Sequence, residues 1–296
     1  MPFSEIGLHI ESIKSNPSPH DEKNFDDRTD TLDFLEFHIL DQIEALRNRE
    51  PNQDKLTALH DQTEKIKCQL EEVDNKLFQR LQREIKQKKH SGNAFEALVR
   101  EYVSFENSNH GGEGYDNLDI FINRLLCVQD MPEQSKSLEP EMVFYQKTPA
   151  RMIFELVKKA GSAKNDVFFD IGSGLGQVAM LVNLLTGIRT VGVEFDPAFC
   201  KYSEECAITL GLQDVAFFNV DAREADYSEG TVFFMYTPFS GKMLQGVSDL
   251  LRKESLKRQV RIITYGPCTA EVARQDWLHY TSEAEPGVNR LTFFIS

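Results

Sequence analysis

The run Val167-Phe168-Phe169 leads straight into Asp170-Ile171-Gly172-Ser173-Gly174-Leu175-Gly176, and this junction most narrows the folds open to the chain. An aromatic, β-branched strand meets three alternating glycines, and a helical segment from Gln177 to Leu185 follows. Glycine lets the backbone turn tightly and approach a ligand where a Cβ would collide. The helix beyond the turn offers free N–H groups to an anionic group. The next strand, Thr190-Val191-Gly192-Val193, ends in Glu194, a carboxylate suited to gripping two ribose hydroxyls.

From Pro140 onward, strands and helices alternate, which implies a mostly parallel sheet covered on both faces. Strands are expected near 166–170, 189–194, 215–219, 231–236 and 259–265, with helices near 148–159, 176–186, 197–210 and 240–254. Thr148 reads as the N-cap of the first helix, with Pro149 in its first turn. Trp277-Leu278-His279-Tyr280 and Leu291-Thr292-Phe293-Phe294-Ile295 read as two closing strands about Pro286-Gly287. The expected fold class is α/β, a Rossmann-like seven-stranded sheet preceded by an α-helical region.

That helical region has its own texture. Residues 1–30 are polar and read as a loose lead-in. Leu32, Leu35, Ile39, Ile43 and Leu46 then recur at helical spacing until Pro51. Leu56, Leu59, Ile66, Leu70, Val73 and Leu77 form a short heptad seam on a second helix. Residues 31–89 thus read as an antiparallel hairpin joined at Pro51, with a homodimer through the seam as the alternative. Ser91-Gly92-Asn93 breaks the helix, and Phe95, Leu98, Val99 and Tyr102 mark another. The stretch 107–114 reads as a flexible loop, and Asp116 as the cap of a helix carrying Leu118, Phe121, Ile122, Leu125 and Leu126. The expected division is a lead-in at 1–30, a helical region at 31–127, a linker at 128–140 and a catalytic-type domain at 141–296.

The glycines fall as G-x-G-x-G, not as the dinucleotide fingerprint G-x-G-x-x-G. Asp170, two positions before the first glycine, is unwelcome to a pyrophosphate but welcome to an amine. S-adenosylmethionine has no phosphate and carries an α-amino group and a carboxylate. Asp170 can meet the amine and the loop N–H groups the carboxylate, while Glu194 takes the ribose. Phe195 lies against the adenine face, and Asp221 accepts from the adenine amino group. Gly172, Gly174, Gly176 and Gln177 complete the expected cofactor set, with Tyr145 and Thr148 as lid residues.

Past the fourth strand comes Tyr236-Thr237-Pro238-Phe239, at the edge where ligands of open α/β sheets collect. Tyr236 and Thr237 are the candidate catalytic residues, since their hydroxyls are suited to bonding an acceptor. Phe239 and Tyr115 are candidates for the substrate side, and a rigid, packed turn is the competing reading of the 236–239 segment. No general base is identifiable, His279 being the one histidine after residue 140 and better placed on a strand face.

The chain from about 141 to 296 resembles the class I methyltransferases. The segment Phe169 to Val178 resembles the cofactor motif of the disruptor-of-telomeric-silencing family of histone-lysine methyltransferases, with Gln177-Val178 the more specific part. Tyr145-Gln146-Lys147-Thr148 sits where that family has a Tyr-Gly-Glu-Thr-like loop covering the cofactor. Two departures stand out: Lys147 replaces an acid, and Tyr236-Thr237-Pro238-Phe239 replaces an Asn-Phe-Ala-Phe-like segment. The arrangement looks closer to bacterial relatives with an N-terminal helical extension. The resemblance implies methyl transfer to an acceptor, with a small molecule or peptide favoured over a histone-type protein lysine and over a non-catalytic assembly role.

Thirty-three basic against 47 acidic residues give a net charge of −14, which argues against a nucleic-acid-wrapping surface. The five cysteines show no pattern at metal spacing, so no metal site is expected and reduced thiols in a cytoplasmic protein are. No apolar run approaches the roughly 20 residues of a spanning helix, so no membrane partner is expected.

Overall fold

Alternating side chains on a strand face opposite ways, and the run Val167 to Ile171 uses both of its faces. Phe168 packs into one core and Phe169 into another. The next strands repeat the division, with Phe234 and Ile263 on the first side and Phe233 and Ile262 on the second. A sheet apolar on both faces has to be covered on both, as expected for parallel strands. The computed structural model describes residues 3–47, 53–105, 115–128, 131–281 and 286–296.

Five strands run parallel: β1 (Val167–Ile171), β2 (Arg189–Glu194), β3 (Val215–Asn219), β4 (Val232–Tyr236) and β5 (Arg261–Tyr265). Two more, β6 (His279–Tyr280) and β7 (Thr292–Ile295), close the sheet antiparallel, in the order β3-β2-β1-β4-β5-β7-β6. β1 therefore lies between β2 and β4, where the winding reverses and a crevice opens at the carboxyl ends.

Among the described residues, seven α-helices precede the sheet. They are α1 (Phe3–Ser15), α2 (Phe25–Phe34), α3 (Asp41–Arg47), α4 (Gln53–Lys86), α5 (Asn93–Arg100), α6 (Asn117–Leu125) and α7 (Ala150–Ala160). A π-helical turn, Leu35–Leu40, joins α2 to α3. The sheet connections are α8 (Gln177–Thr186), α9 (Pro197–Leu210), α10 (Gly241–Ser255) and the short α11 (Cys268–Val272). The first core joins α7, α8 and α9 to the distal half of α4 and to α5 and α6. The second sets α10 and α11 against the opposite face.

Two expectations are corrected. The lead-in is not loose, because Ile6 and Ile10, one helical turn apart, are fully buried in a third core shared with Leu35, Ile39 and Ile43. The heptad seam is not free for a dimer either. Leu56, Ile66 and Leu70 fill that same third core against α1, α2 and α3, and Leu77 joins the sheet-side core. At 34 residues, about 50 Å long, α4 connects the two cores. Pro51, the expected hairpin joint, and the expected loop at 107–114 lie outside the described residues.

Arg28, with no exposed surface, ties the helices together. Its Nε bonds Asp74 Oδ1, and Nη1 donates to the carbonyls of Pro19 and Asp21. Asp74 Oδ2 accepts from Arg124, so one buried carboxylate links α2, α4 and α6.

Candidate functional site

A cavity of about 500 Å³ opens at the carboxyl edge beside β1, within the range that takes a cofactor-sized ligand. β1 delivers Asp170 to its floor, and the loop after it adds Gly172, Ser173 and the first residue of α8, Gln177. β2 brings Glu194 and Phe195. Asp221 stands two residues past β3, and Tyr236 through Phe239 follow β4. Tyr145 and Thr148 close the side facing the helical region.

The loop's shape depends on its glycines. Gly174 has φ +53°, and a Cβ there would lie 2.0 Å from Tyr145 Cε2, inside any possible contact. Gly172, at φ +80°, is pressed just as closely by Pro238. Neither Gly174 nor Gly176, both expected in the cofactor set, lines the cavity; Gly176 sets the left-handed start of α8 against Phe217.

Three residues of the cavity lining each hold a buried polar atom without a partner, Asp170 Oδ2, Ser173 Oγ and Gln177 Oε1, on side chains at most 5% exposed. Burial, then the charge of Glu194, pushes the Asp170 carboxyl up to about 8. Glu194 is also raised by burial, although Oε2 accepts the Gly174 N–H and Oε1 the Asp196 N–H, both at 2.7 Å. Those two bonds fix the carboxylate and leave its other lone pairs free. Asp221 is held below the usual carboxylate range by its bonds from Arg223. Lys136 Nζ sits 4.1 Å from the centre of the Phe195 ring, covering one face of it.

The segment before α7 is strapped across the cavity mouth. Ser135 and Lys136 donate backbone N–H groups to Asp196, which also caps α9. Val143 N–H donates to Pro238 O, and Met142 pairs with Phe239 in an antiparallel bridge. Glu141 accepts from Met243 N–H and so caps α10. Tyr145 lies beyond, its hydroxyl bonded to the Leu175 backbone and its pKa pushed up by burial.

Several expected roles shift. Thr148 is buried on the cavity wall but is not the N-cap of α7. Pro149 holds that position, and Asp119 of α6 accepts the Ala150 N–H at 2.7 Å. Burial pushes that carboxyl up to about 6. Tyr115 does not line the cavity; half exposed, its hydroxyl donates to Lys147 O. Lys147, the residue in place of an acid, reaches away from the cavity to Val128 O. Thr237 lines the cavity, yet its hydroxyl donates to Tyr265 O and accepts Cys268 N–H, so the expectation that it meets an acceptor is corrected. Its φ of +40°, strained for a β-branched residue, fixes the turn that aims its neighbours. Tyr236 is half-buried against Tyr265 with its phenol pushed up to about 12 by burial, and Phe239 is buried in the wall.

Sequence reasoning missed Ser173 and Asp196, which line the cavity, and Glu141, which holds the segment beside it. Asp196 carried a signal, as an Asp before Pro197 at a helix start. The other two carried none. Among the described residues no cluster of His, Cys, Asp or Glu is arranged to hold a metal ion.

The strand order, the glycine loop after β1 and the acids at the carboxyl ends of β1, β2 and β3 are those of a class I, S-adenosylmethionine-dependent methyltransferase. Within that class, residues 135–265 match the family model described as Histone methylation protein DOT1. A histone-lysine N-methyltransferase of Dictyostelium discoideum, H3 lysine-79 specific, is 32% identical over 114 residues. That similarity covers 33% of this chain and 6% of the Dictyostelium protein. The crystal structure of an RNA methyltransferase from Salinibacter ruber, with S-adenosyl-L-homocysteine, is 24% identical. It covers 51% of this chain and 92% of its own, at a TM-score of 0.39. A methyltransferase from Aquifex aeolicus is 16% identical, covering 50% of this chain and 91% of its own, at 0.39.

Proposed function

We propose that this chain transfers a methyl group from S-adenosylmethionine to an acceptor on a small molecule or peptide. The observation that carries this reading is that three residues of the cavity lining, Asp170, Ser173 and Gln177, each hold a buried polar atom without a partner. Each such atom costs about 1–3 kcal/mol unless something bonds it. An amino-acid end with an ammonium and a carboxylate offers the missing partners. Asp170 takes the ammonium; the N–H groups of Gly172, Ser173, Gly174 and Gly176 are spent within the fold, so the carboxylate is left to the start of α8. Glu194, already oriented by Gly174 and Asp196, grips the ribose. Phe195 lies on the adenine with Lys136 behind it, and Asp221 accepts from the adenine amino group. Tyr145 and Thr148 close the lid side.

The bound cofactor supplies an electrophilic methyl on a sulfonium, so the protein's task is alignment. Tyr236 does this at the mouth: its phenol stays protonated and orients the acceptor by hydrogen bonding without acting as a base. Phe239 walls the pocket, and Thr237 holds both in place through Tyr265 and Cys268. We read 141–296 as the methyltransferase domain, 128–140 as its linker and 31–127 as a helical cap. All five cysteines are free thiols, which supports a cytoplasmic setting.

The match to the DOT1 family model favours a second reading, in which the acceptor is a protein lysine. Calorimetry with S-adenosylmethionine tests the cofactor: wild type should bind, and Gly174→Arg should not. Labelled cofactor added to host-cell extract then separates the acceptors. Label in metabolites or peptides supports the first reading, and label in protein lysine the second. Binding without any transfer would abandon both for a non-catalytic role.

A further inference from the structure

We propose that Asn123, on α6 of the helical region, is a positioning residue of the cofactor site. It fixes the Gln177 amide so that Gln177 Oε1 faces the cofactor's ammonium. The inference rests on the cofactor reading above and extends the site to a residue outside the α/β half.

Gln177 is 2% exposed, and its Nε2 donates to Asn123 Oδ1 at 3.0 Å. A primary amide has one donor end and one acceptor end. With the donor end spent on α6, the acceptor oxygen is what remains, buried and without a partner, on a residue of the cavity lining. An acceptor oxygen repels the cofactor's carboxylate. In the amino-acid end, the ammonium is the group that satisfies it, and three N–H groups let it serve Asp170 and Gln177 together.

Asn123 cannot drift from this task. Its carbonyl accepts the Val128 N–H at 2.8 Å, closing the end of α6. α6 is pinned to α7 through Asp119 and Ala150, and to the lid segment through Lys147 and Val128 O. The contact therefore reports to the cavity the position of a helix 54 residues upstream of Gln177.

The test is calorimetry on the full chain with two ligands: S-adenosylhomocysteine, which has the amino-acid end, and methylthioadenosine, which lacks it. Asn123→Leu should weaken S-adenosylhomocysteine on the order of tenfold, the worth of one hydrogen bond to a charged group, and leave methylthioadenosine unchanged. Asn123→Ser, too short to reach, should do the same, and it stands in if the leucine variant does not fold. Asn123→Asp keeps an acceptor for Gln177 Nε2 and should stay within about threefold of wild type. Asn123→Leu combined with Gln177→Ala should be no weaker than Gln177→Ala alone. Equal loss of both ligands, full retention of S-adenosylhomocysteine, or additive losses in the double variant would each overturn the proposal. If wild type binds neither ligand, the cofactor reading itself falls, and this inference with it.

Discussion

Two buried carboxyl groups, Asp74 and Asp170, are treated oppositely by the fold around them. In the helical region Asp74 has both oxygens bonded by Arg28 and Arg124, and Arg28 spends its remaining donors on backbone carbonyls. On the floor of the cavity Asp170 is buried just as deeply, yet one oxygen has no partner, and its neighbours Ser173 and Gln177 are left the same way. A satisfied buried ion stabilises a fold only modestly but is costly to break. An unsatisfied one is a standing cost that a ligand can remove. Neither burial nor a missing partner marks a site alone, since Thr190 Oγ1 and Thr292 Oγ1 are also buried and unpartnered away from the cavity; three such atoms on residues of one cavity lining do.

The largest effect should come from breaking the satisfied cluster. Asp74→Ala leaves Arg28 and Arg124 facing each other without a counter-charge, and denaturant unfolding should show a loss of about 3–5 kcal/mol. Cofactor affinity of the folded fraction should hardly move. A loss under about 1 kcal/mol would break the comparison at its structural end.

Asp170→Asn should do the reverse. S-adenosylhomocysteine binding should weaken by on the order of a hundredfold, about 2–3 kcal/mol, because the charged partner of the ammonium is gone. The ligand-free protein should be no less stable than wild type, since nothing in the fold relies on that charge. A stability loss as large as that of Asp74→Ala would erase the distinction between the two regions.

Asp119 stands between the two, and its effect should be intermediate. It sits in the capping box of α6 and accepts the first N–H of α7. Asp119→Ala should cost about 1–2 kcal/mol in thermal unfolding, the worth of a lost cap.

The smallest effect is a slope with pH. Burial raises the Asp170 carboxyl from its ordinary 3.8 to about 8 in the folded chain. The stability it contributes is full below pH 4 and is lost as pH rises through about 8. An ammonium beside it favours the ionised form, so binding between those values releases a proton. The rise in melting temperature given by S-adenosylhomocysteine should therefore grow from about pH 6 to about pH 8. That growth should be absent in Asp170→Asn; its persistence there would assign it to another group.

Much of the α/β half was legible residue by residue. The span expected for α9, 197–210, is the span observed, because Asp196 caps it and Pro197 begins it. The β1 strand falls within one residue of its expected place, and the seven strands are those expected, their order being set by the tertiary structure. α1 was missed although Ile6, Ile10 and Ile13 recur at helical spacing, because the exposed Leu8 blurs that period and the residues that follow are polar. α11 was missed because five residues are too few to show a period. The cap of α7 was given to Thr148, the local candidate, and is supplied by Asp119 from 31 residues away.

The sequence by itself determined the loop at Asp170–Gly176, the acids at Glu194 and Asp221, and the alternation that brings them to one edge. Those features are local: a left-handed glycine and a strand end are set by a few residues and their neighbours. The tertiary structure alone decided which polar atoms find partners. Thr237 is spent on Tyr265 and Cys268, Glu141 on an N–H 102 residues away, and Gln177 is half satisfied by Asn123. Hydrogen bonds act over about 3 Å and are blind to sequence distance, so that accounting exists only once the chain is folded.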